Sequence, residues 1–301
     1  MPQIDTIYTY AKINLILQVA PLVSDISDPN CGMHPICSWM HSINLCDEIN
    51  IEQSSGNQSE FDIRWALSKQ PVEWESNNDL MVRAHALLES EVGRPMPIKL
   101  TARKSIPAGG GLGGGSSNAA GVLMGLNELF ELEFDELQLQ TLAIKLGSDI
   151  PFFLDLDSYR VRIPAKAAVV SGFGTQINRT PRHSDTVTLL IPKFGCSTKE
   201  VYKALDNLGS ARSLCFDSVF EAANSKKIKP WELINDLTEP AMVTQPDLRK
   251  SFELLGHSEI YPLLSGSGST MFVLGGPMSS WVDKLRKILS VKFNIETTSL
   301  T

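Results

Sequence analysis

Six of the seven residues from Gly109 to Gly115 are glycine, with Leu112 the exception, and the run passes through Ser116, Ser117 and Asn118 into apolar residues of helical period. Glycine has no Cβ and reaches positive φ readily, so successive N–H groups of such a loop can point into one concavity that attracts anions. Val122, Leu123, Leu126, Leu129 and Phe130 share one face of the predicted helix, and Ser116 or Ser117 suits its N-cap. The positive end of that helix then opens onto the loop, which is phosphate-binding chemistry. A flexible linker would lack the Pro107 and the amphipathic helix that frame this run. Gly109, Gly111 and Gly114 also spell a dinucleotide fingerprint, but that fold needs a second strand ending in an acid about 20 residues on. Here Glu128 to Phe134 reads as helix. A Walker A loop is excluded because no lysine precedes Ser116 and Ser117.

Two charged residues could act on a bound phosphate. Lys12 lies in the apolar run Tyr10-Ala11-Lys12-Ile13-Asn14, where an unpaired ammonium would cost several kcal/mol. It either meets a partner or snorkels to solvent. Asp149 lies in Gly147-Ser148-Asp149-Ile150-Pro151-Phe152-Phe153, between a predicted helix stop and an apolar run. It reads as a turn cap or as a working carboxylate. Cys31, His34, Cys37 and His41 fall within eleven residues, but their spacing fits no usual zinc pattern and Ile36, Trp39, Met40 and Ile43 interleave them.

The elements that must position these groups alternate between strand and helix. Thr6 to Val19 reads as two strands broken at Tyr10 to Asn14, Phe61 to Leu67 as a strand, and a helix starting at Asn78 carries Leu80, Met81, Ala84, Leu87 and Leu88. Pro97 to Ala102 is a strand entering the glycine loop, followed by Lys104. Asp135 caps a helix ended by Gly147, and Asp155 and Asp157 read as solvated turn residues. Thr186 to Ile191 is a strand, Ser197 with Glu200 opens a helix as a capping box, and Asn235 to Pro240 caps another. Leu264 to Thr270 is a Gly/Ser turn before the strand Met271 to Leu274. A last helix is expected on Trp281, Val282, Leu285, Ile288 and Leu289, with a last strand from Val291 to Thr297. The 301 residues suit two domains, divided near the polar stretch 178–185 into 1–178 and 179–301. A net charge of −7 argues against nucleic acid as a partner. No apolar run reaches the ~18 residues of a membrane span, and five cysteines without C-x-x-C suit a reducing cytoplasm.

The loop from Pro107 to Ala120 closely resembles the P-x-x-x-G-L-G-S-S-x-A loop of the GHMP kinases. Ala11-Lys12-Ile13-Asn14-Leu15, the Asp149 segment, Ser197-Thr198 with Tyr202, Asn235 to Pro240 and Leu264 to Thr270 resemble further family segments in the same order. The resemblance implies a two-domain α+β fold with the active-site cleft between the domains, and ATP with Mg²⁺ as phosphate donor. It implies Lys12 and Asp149 as catalytic residues, and Lys104, Pro107, Gly109, Gly110, Gly111, Leu112, Gly113, Gly114, Gly115, Ser116, Ser117 and Asn118 around the nucleotide, with Ser117 a Mg²⁺ ligand. Asn14, His34, Tyr202 and Gly266 fall to the acceptor, implied to be a cytidine-diphosphate alcohol whose base lies against His34 and Tyr202. The chain departs from the pattern at Cys31, at Met33 where the family has tyrosine, at Asp79 where it has asparagine, and after Leu154, where Gly-Gly and a later glutamate are missing. Those departures leave open a kinase for another small alcohol, a sugar or an isoprenoid precursor, and a non-catalytic nucleotide-binding relative.

Overall fold

A computed structural model describes residues 3–257, 259–275 and 293–301. The helix expected on Trp281 to Leu289, and Val291 of the last strand, lie outside the described residues. The chain packs into two compact units, one from Met1–Ala11, Leu45–Ile106 and Gly113–Ala165, the other from Lys12–Asn44, Pro107–Leu112 and Lys166–Thr301. This division differs from a single cut at residue 178. The long strands β1 (Ile7–Val19) and β2 (Ile36–Gln53) each give residues to both units, and the glycine loop divides between Leu112 and Gly113.

In the first unit, β3 (Glu60–Trp65) runs parallel to β4 (Ile98–Lys104), and β4 pairs antiparallel with the second half of β2, Glu48 opposite Arg103 and Gln53 opposite Ile98. Along β4 the period of two buries Ile98, Leu100, Ala102 and Lys104 and turns Lys99, Thr101 and Arg103 outward. Helix α1 (Leu80–Val92) packs beside α2 (Gly114–Leu129). The buried face of α2 carries Val122, Leu123 and Leu126, each stabilising by about 2 kcal/mol through lost apolar surface. Its small face lies against strand side chains: a Cβ on Gly121 would come 2.5 Å from Thr9 Cγ2, and one on Gly125 2.7 Å from Ile7 Cδ1. Three short helices follow, α3 (Glu136–Ala143), α4 (Ile150–Phe153) and α5 (Leu156–Arg160).

In the second unit, the first part of β2 pairs with β5 (Ala168–Gly172), which forms a hairpin with β6 (Gln176–Arg179). A separate sheet is ordered β10–β7–β9–β8, with β7 Thr186–Pro192, β8 Leu263–Leu264, β9 Met271–Leu274 and β10 Phe293–Ser299. Helices α6 (Thr198–Leu208), α7 (Phe216–Asn224), α8 (Thr238–Thr244) and α9 (Pro246–Gly256) complete it. Its core joins Leu17 and Val19 to Leu190, Val201, Leu205, Leu237, Leu248, Leu264 and Met271.

Several expectations are corrected. β1 is one strand of 13 residues, unbroken at Tyr10 to Asn14, because Lys12 finds hydrogen-bond partners where it stands. α1 starts at Leu80, with Asp79 rather than Asn78 ahead of it as the cap. α2 stops at Leu129, so Glu128 to Phe134 is not helical throughout; Glu131 and Glu133 take φ of 49° and 58°, and the Asn127 side chain bonds both N and O of Phe134 at 3.0 Å. α3 ends at Ala143, before Gly147. Among the described residues no helix is long and apolar enough to cross a membrane.

Candidate active site

In the second unit the site begins with β1. Lys12 is 2% exposed, its backbone N–H donates to Leu112 O at 2.9 Å, and its ammonium donates to Asn14 Oδ1 at 2.7 Å and to Gly111 O at 3.1 Å. It is therefore buried and fastened to the glycine loop, not snorkelling. Asn14 in turn donates Nδ2–H to Ser38 Oγ at 2.8 Å, and Ser38 donates to Ile16 O at 2.7 Å. Gly109 and Gly111 have φ of 68° and 75°. A Cβ on Gly111 would lie 2.0 Å from Ser265 O, so backbone proximity as well as φ demands glycine there. The Gly/Ser turn braces the loop: Ser265 Oγ donates to Gly111 O at 2.9 Å and Thr270 N to Gly110 O at 3.1 Å. Gly266 sits over the same cluster, with a Cβ there 3.4 Å from Lys12 Nζ and 3.5 Å from Asn14 Oδ1.

Asn235 stands two residues ahead of Leu237, the N-cap of α8, and its Oδ1 accepts from Leu237 N at 2.9 Å. Its amide nitrogen donates to Leu264 O at 2.7 Å and Gly266 O at 2.8 Å, which fixes the turn against β1 through the Leu17–Asn235 bridge. At the far end of β1, His34 has a side chain 5% exposed, Nδ1 2.9 Å from Ala20 O and Nε2 3.4 Å from Asp206 Oδ1. Its ring centroid is 5.2 Å from that of half-buried Tyr202, tilted by 45°. Met33 is 43% exposed in the preceding loop. Cys31 and His34 belong to that loop and Cys37 and His41 to β2; burial pushes the Cys37 thiol up to about 11 and holds the His41 imidazole down to about 4.

In the first unit, α2 opens on Gly113, whose φ of 71° makes it the N-cap in place of Ser116 or Ser117. The first intrahelical bond runs from Ser117 N to Gly113 O at 2.8 Å, so the amides of Gly114, Gly115 and Ser116 precede the ladder and point out of the helix end. The first turn carries no acidic residue that would neutralise this positive end. A Cβ on Gly114 would meet Ile106 Cγ2 at 2.7 Å, and one on Gly115 would meet Leu80 Cδ1 at 3.3 Å, so the helix start is pressed on the segment that follows β4 and on α1. Ser117 is 3% exposed.

Lys104 is 4% exposed, not a surface lysine before a turn. Its ammonium pairs with Asp47 Oδ2 at 2.8 Å and with Asn118 Oδ1. Asp47, fully buried, also accepts from Ser105 N at 2.6 Å, Ile106 N at 2.8 Å and Asn118 Nδ2 at 2.9 Å, and Asn118 donates to Thr9 Oγ1 at 2.7 Å. Lys104 and Asn118 thus spend these bonds on bracing the approach to the glycine loop. Asp47 is the hub of these bonds, and sequence reasoning gave it no role. Asp149 is half-buried at the N-cap position of α4, and its side chain makes no cap bond to that helix. Asp155 is corrected too: it is 4% exposed and caps α5, accepting from Ser158 N at 3.1 Å and Oγ at 2.8 Å, whereas Asp157 is exposed within α5. Asp79 accepts from Met81 N and from Trp74 Nε1, both at 2.8 Å.

Residues 79–155 match the family model of the GHMP kinases N terminal domain. A protein of Thermodesulfovibrio yellowstonii named 4-diphosphocytidyl-2-C-methyl-D-erythritol kinase is 32% identical over 278 residues, 89% of each chain. One of the same name from Pelobacter propionicus is 33% identical over 270 residues, again 89% of both. Among solved structures, a 4-(cytidine 5'-diphospho)-2C-methyl-D-erythritol kinase superposes with a TM-score of 0.73 at 26% identity, covering 98% of this chain and 99% of that one. The mevalonate kinase of Methanococcus jannaschii, 12% identical with a TM-score of 0.60 over 99% and 98% of the two chains, shares the fold.

Proposed function

The chain belongs to the GHMP kinases, ATP-dependent enzymes acting on small molecules, and on that premise we propose that it phosphorylates the 2-hydroxyl of 4-diphosphocytidyl-2-C-methyl-D-erythritol on the non-mevalonate route to isoprenoid precursors. The observation that carries the reading is the Lys12 ammonium, buried and held on the carbonyl of Gly111 in a loop whose Gly109, Gly111 and Gly113 are left-handed. Phosphoryl transfer asks the protein mainly for position and charge. The amides that open α2 hold the ATP phosphates, and Lys12 neutralises charge growing on the transferring group. Asp149 accepts the proton of the attacking hydroxyl. Among the described residues no three His, Cys, Asp or Glu side chains are grouped to hold a metal. Mg²⁺ keeps several waters and enters on substrate phosphates with few protein ligands; Ser117 is the side chain proposed to take it. A cytoplasmic location belongs to the same reading.

On the acceptor side, His34 and Tyr202 form the base site. Ala20 O, 2.9 Å from Nδ1, and Asp206 Oδ1, 3.4 Å from Nε2, fix the His34 ring beside Tyr202, and in this reading His34 contributes hydrogen bonds to the edge of the base. Tyr202 contributes stacking, worth about 1–3 kcal/mol in other base readers. Met33, exposed and without a π face, favours a second reading, a kinase for another small alcohol. ATP turnover on a panel of alcohols, with CMP binding by calorimetry, tests both. The cytidyl reading expects turnover of the cytidine-diphosphate alcohol and a CMP affinity that Tyr202→Ala weakens at least tenfold. Equal affinity for CMP and a nucleotide-free diol, unchanged in Tyr202→Ala, would leave the second reading.

A further inference from the structure

The hydrogen bonds behind Lys12 form a chain whose every direction is forced. An ammonium only donates, so the Asn14 atom 2.7 Å from Lys12 Nζ is the amide oxygen. The nitrogen of that amide therefore faces Ser38 Oγ at 2.8 Å and donates to it. With its oxygen accepting, the Ser38 hydroxyl sends its own proton to Ile16 O at 2.7 Å. All three side chains are buried, at 2%, 2% and 0% exposure for Lys12, Asn14 and Ser38. No water competes for these bonds, and an unmet group here keeps its full desolvation cost.

We infer that Ser38 is a positioning residue for phosphoryl transfer: it selects the orientation of the Asn14 amide that turns an acceptor toward the Lys12 ammonium. This rests on the role proposed for Lys12. Without the hydroxyl, the Asn14 NH₂ has no acceptor on the β2 side. The amide then either keeps its orientation with a buried donor unmet, or flips and sets an NH₂ against the ammonium. Both loosen Lys12 between Asn14 and Gly111 O, although Ser38 touches neither nucleotide nor acceptor in this scheme. Misplacing a charge-stabilising group acts on the chemical step, while the amides that open α2 are not part of this chain of bonds.

The test compares Ser38→Ala, Ser38→Thr and Lys12→Met in the full-length chain, reading kcat, KM for ATP, and hydrogen exchange of the Asn14 side-chain amide by NMR. Ser38→Ala should lower kcat about tenfold with KM for ATP within about twofold, and should speed exchange at Asn14. Ser38→Thr, which keeps the hydroxyl, should recover kcat and slow exchange. Wild-type kcat in Ser38→Ala, or an equal loss in Ser38→Thr, overturns the inference and leaves the kinase reading standing. Near-normal turnover in Lys12→Met would instead remove the role of Lys12, and the inference with it.

Discussion

Single side chains divide the site into groups that act and groups that hold. If Asp149 is the proton acceptor, Asp149→Asn, nearly isosteric, should lower kcat by about 100-fold or more while calorimetry finds ATP affinity little changed. Wild-type turnover in that variant would take Asp149 out of the mechanism. The loop glycines are not equivalent either. A Cβ on Gly111 would lie 2.0 Å from a backbone carbonyl oxygen, which cannot rotate away, whereas the nearest atom to one on Gly109 is 3.9 Å distant. Gly109→Ala carries only the left-handed backbone penalty, about 1 kcal/mol. Gly111→Ala should abolish measurable ATP binding, and comparable affinities for the two variants would show that the tight approach of Ser265 is not needed.

At the level of elements, stability rests on polar groups that strands bury against one another. His41 of β2 donates from Nδ1 to Ser42 O and accepts from His183 N at Nε2, both at 2.9 Å, so the folded protein needs it neutral. Burial, with smaller contributions from His183 and Arg182, holds its pKa down to about 4 against 6.5 in the unfolded chain. Above pH 6.5 both states are neutral and the contribution is complete. As pH falls from 6.5 through 4 the unfolded chain takes up a proton that the folded one refuses, and stability falls, by up to about 3 kcal/mol for this group. Urea unfolding at pH 7 and at pH 4.5 measures it, and His41→Gln, which keeps an acceptor for His183 N, should show a shallower fall. An identical pH dependence in the variant would exclude His41 as its source. The α2 helix makes the complementary point: Gly121 and Gly125 are in its buried set because Thr9 and Ile7 occupy the space a side chain would need, and Thr9 is committed to Asn118.

For the whole molecule, a nucleotide that binds only the folded chain must raise its stability, by about 2.7 kcal/mol at a hundredfold excess over Kd. ATP with Mg²⁺ should therefore raise the melting temperature by several degrees in scanning calorimetry and should leave that of Gly111→Ala unmoved; no shift in the wild type would argue against a nucleotide site. Much of this site was legible in the sequence because glycine content, the helical period after it and a lysine in an apolar run are local signals. The loop, the helix α2 that follows it and the family could be read there. What tertiary structure decided were the partners of polar side chains far apart in the chain. Lys104 and Asn118 meet at Asp47, Asn235 holds the turn at Gly266, and Gly113 rather than a serine caps α2. Asp155 is buried instead of solvated, and β1 runs unbroken through Lys12. A buried donor must find an acceptor wherever the packed chain brings one, and that choice depends on which strands become neighbours, information that no short stretch of sequence contains.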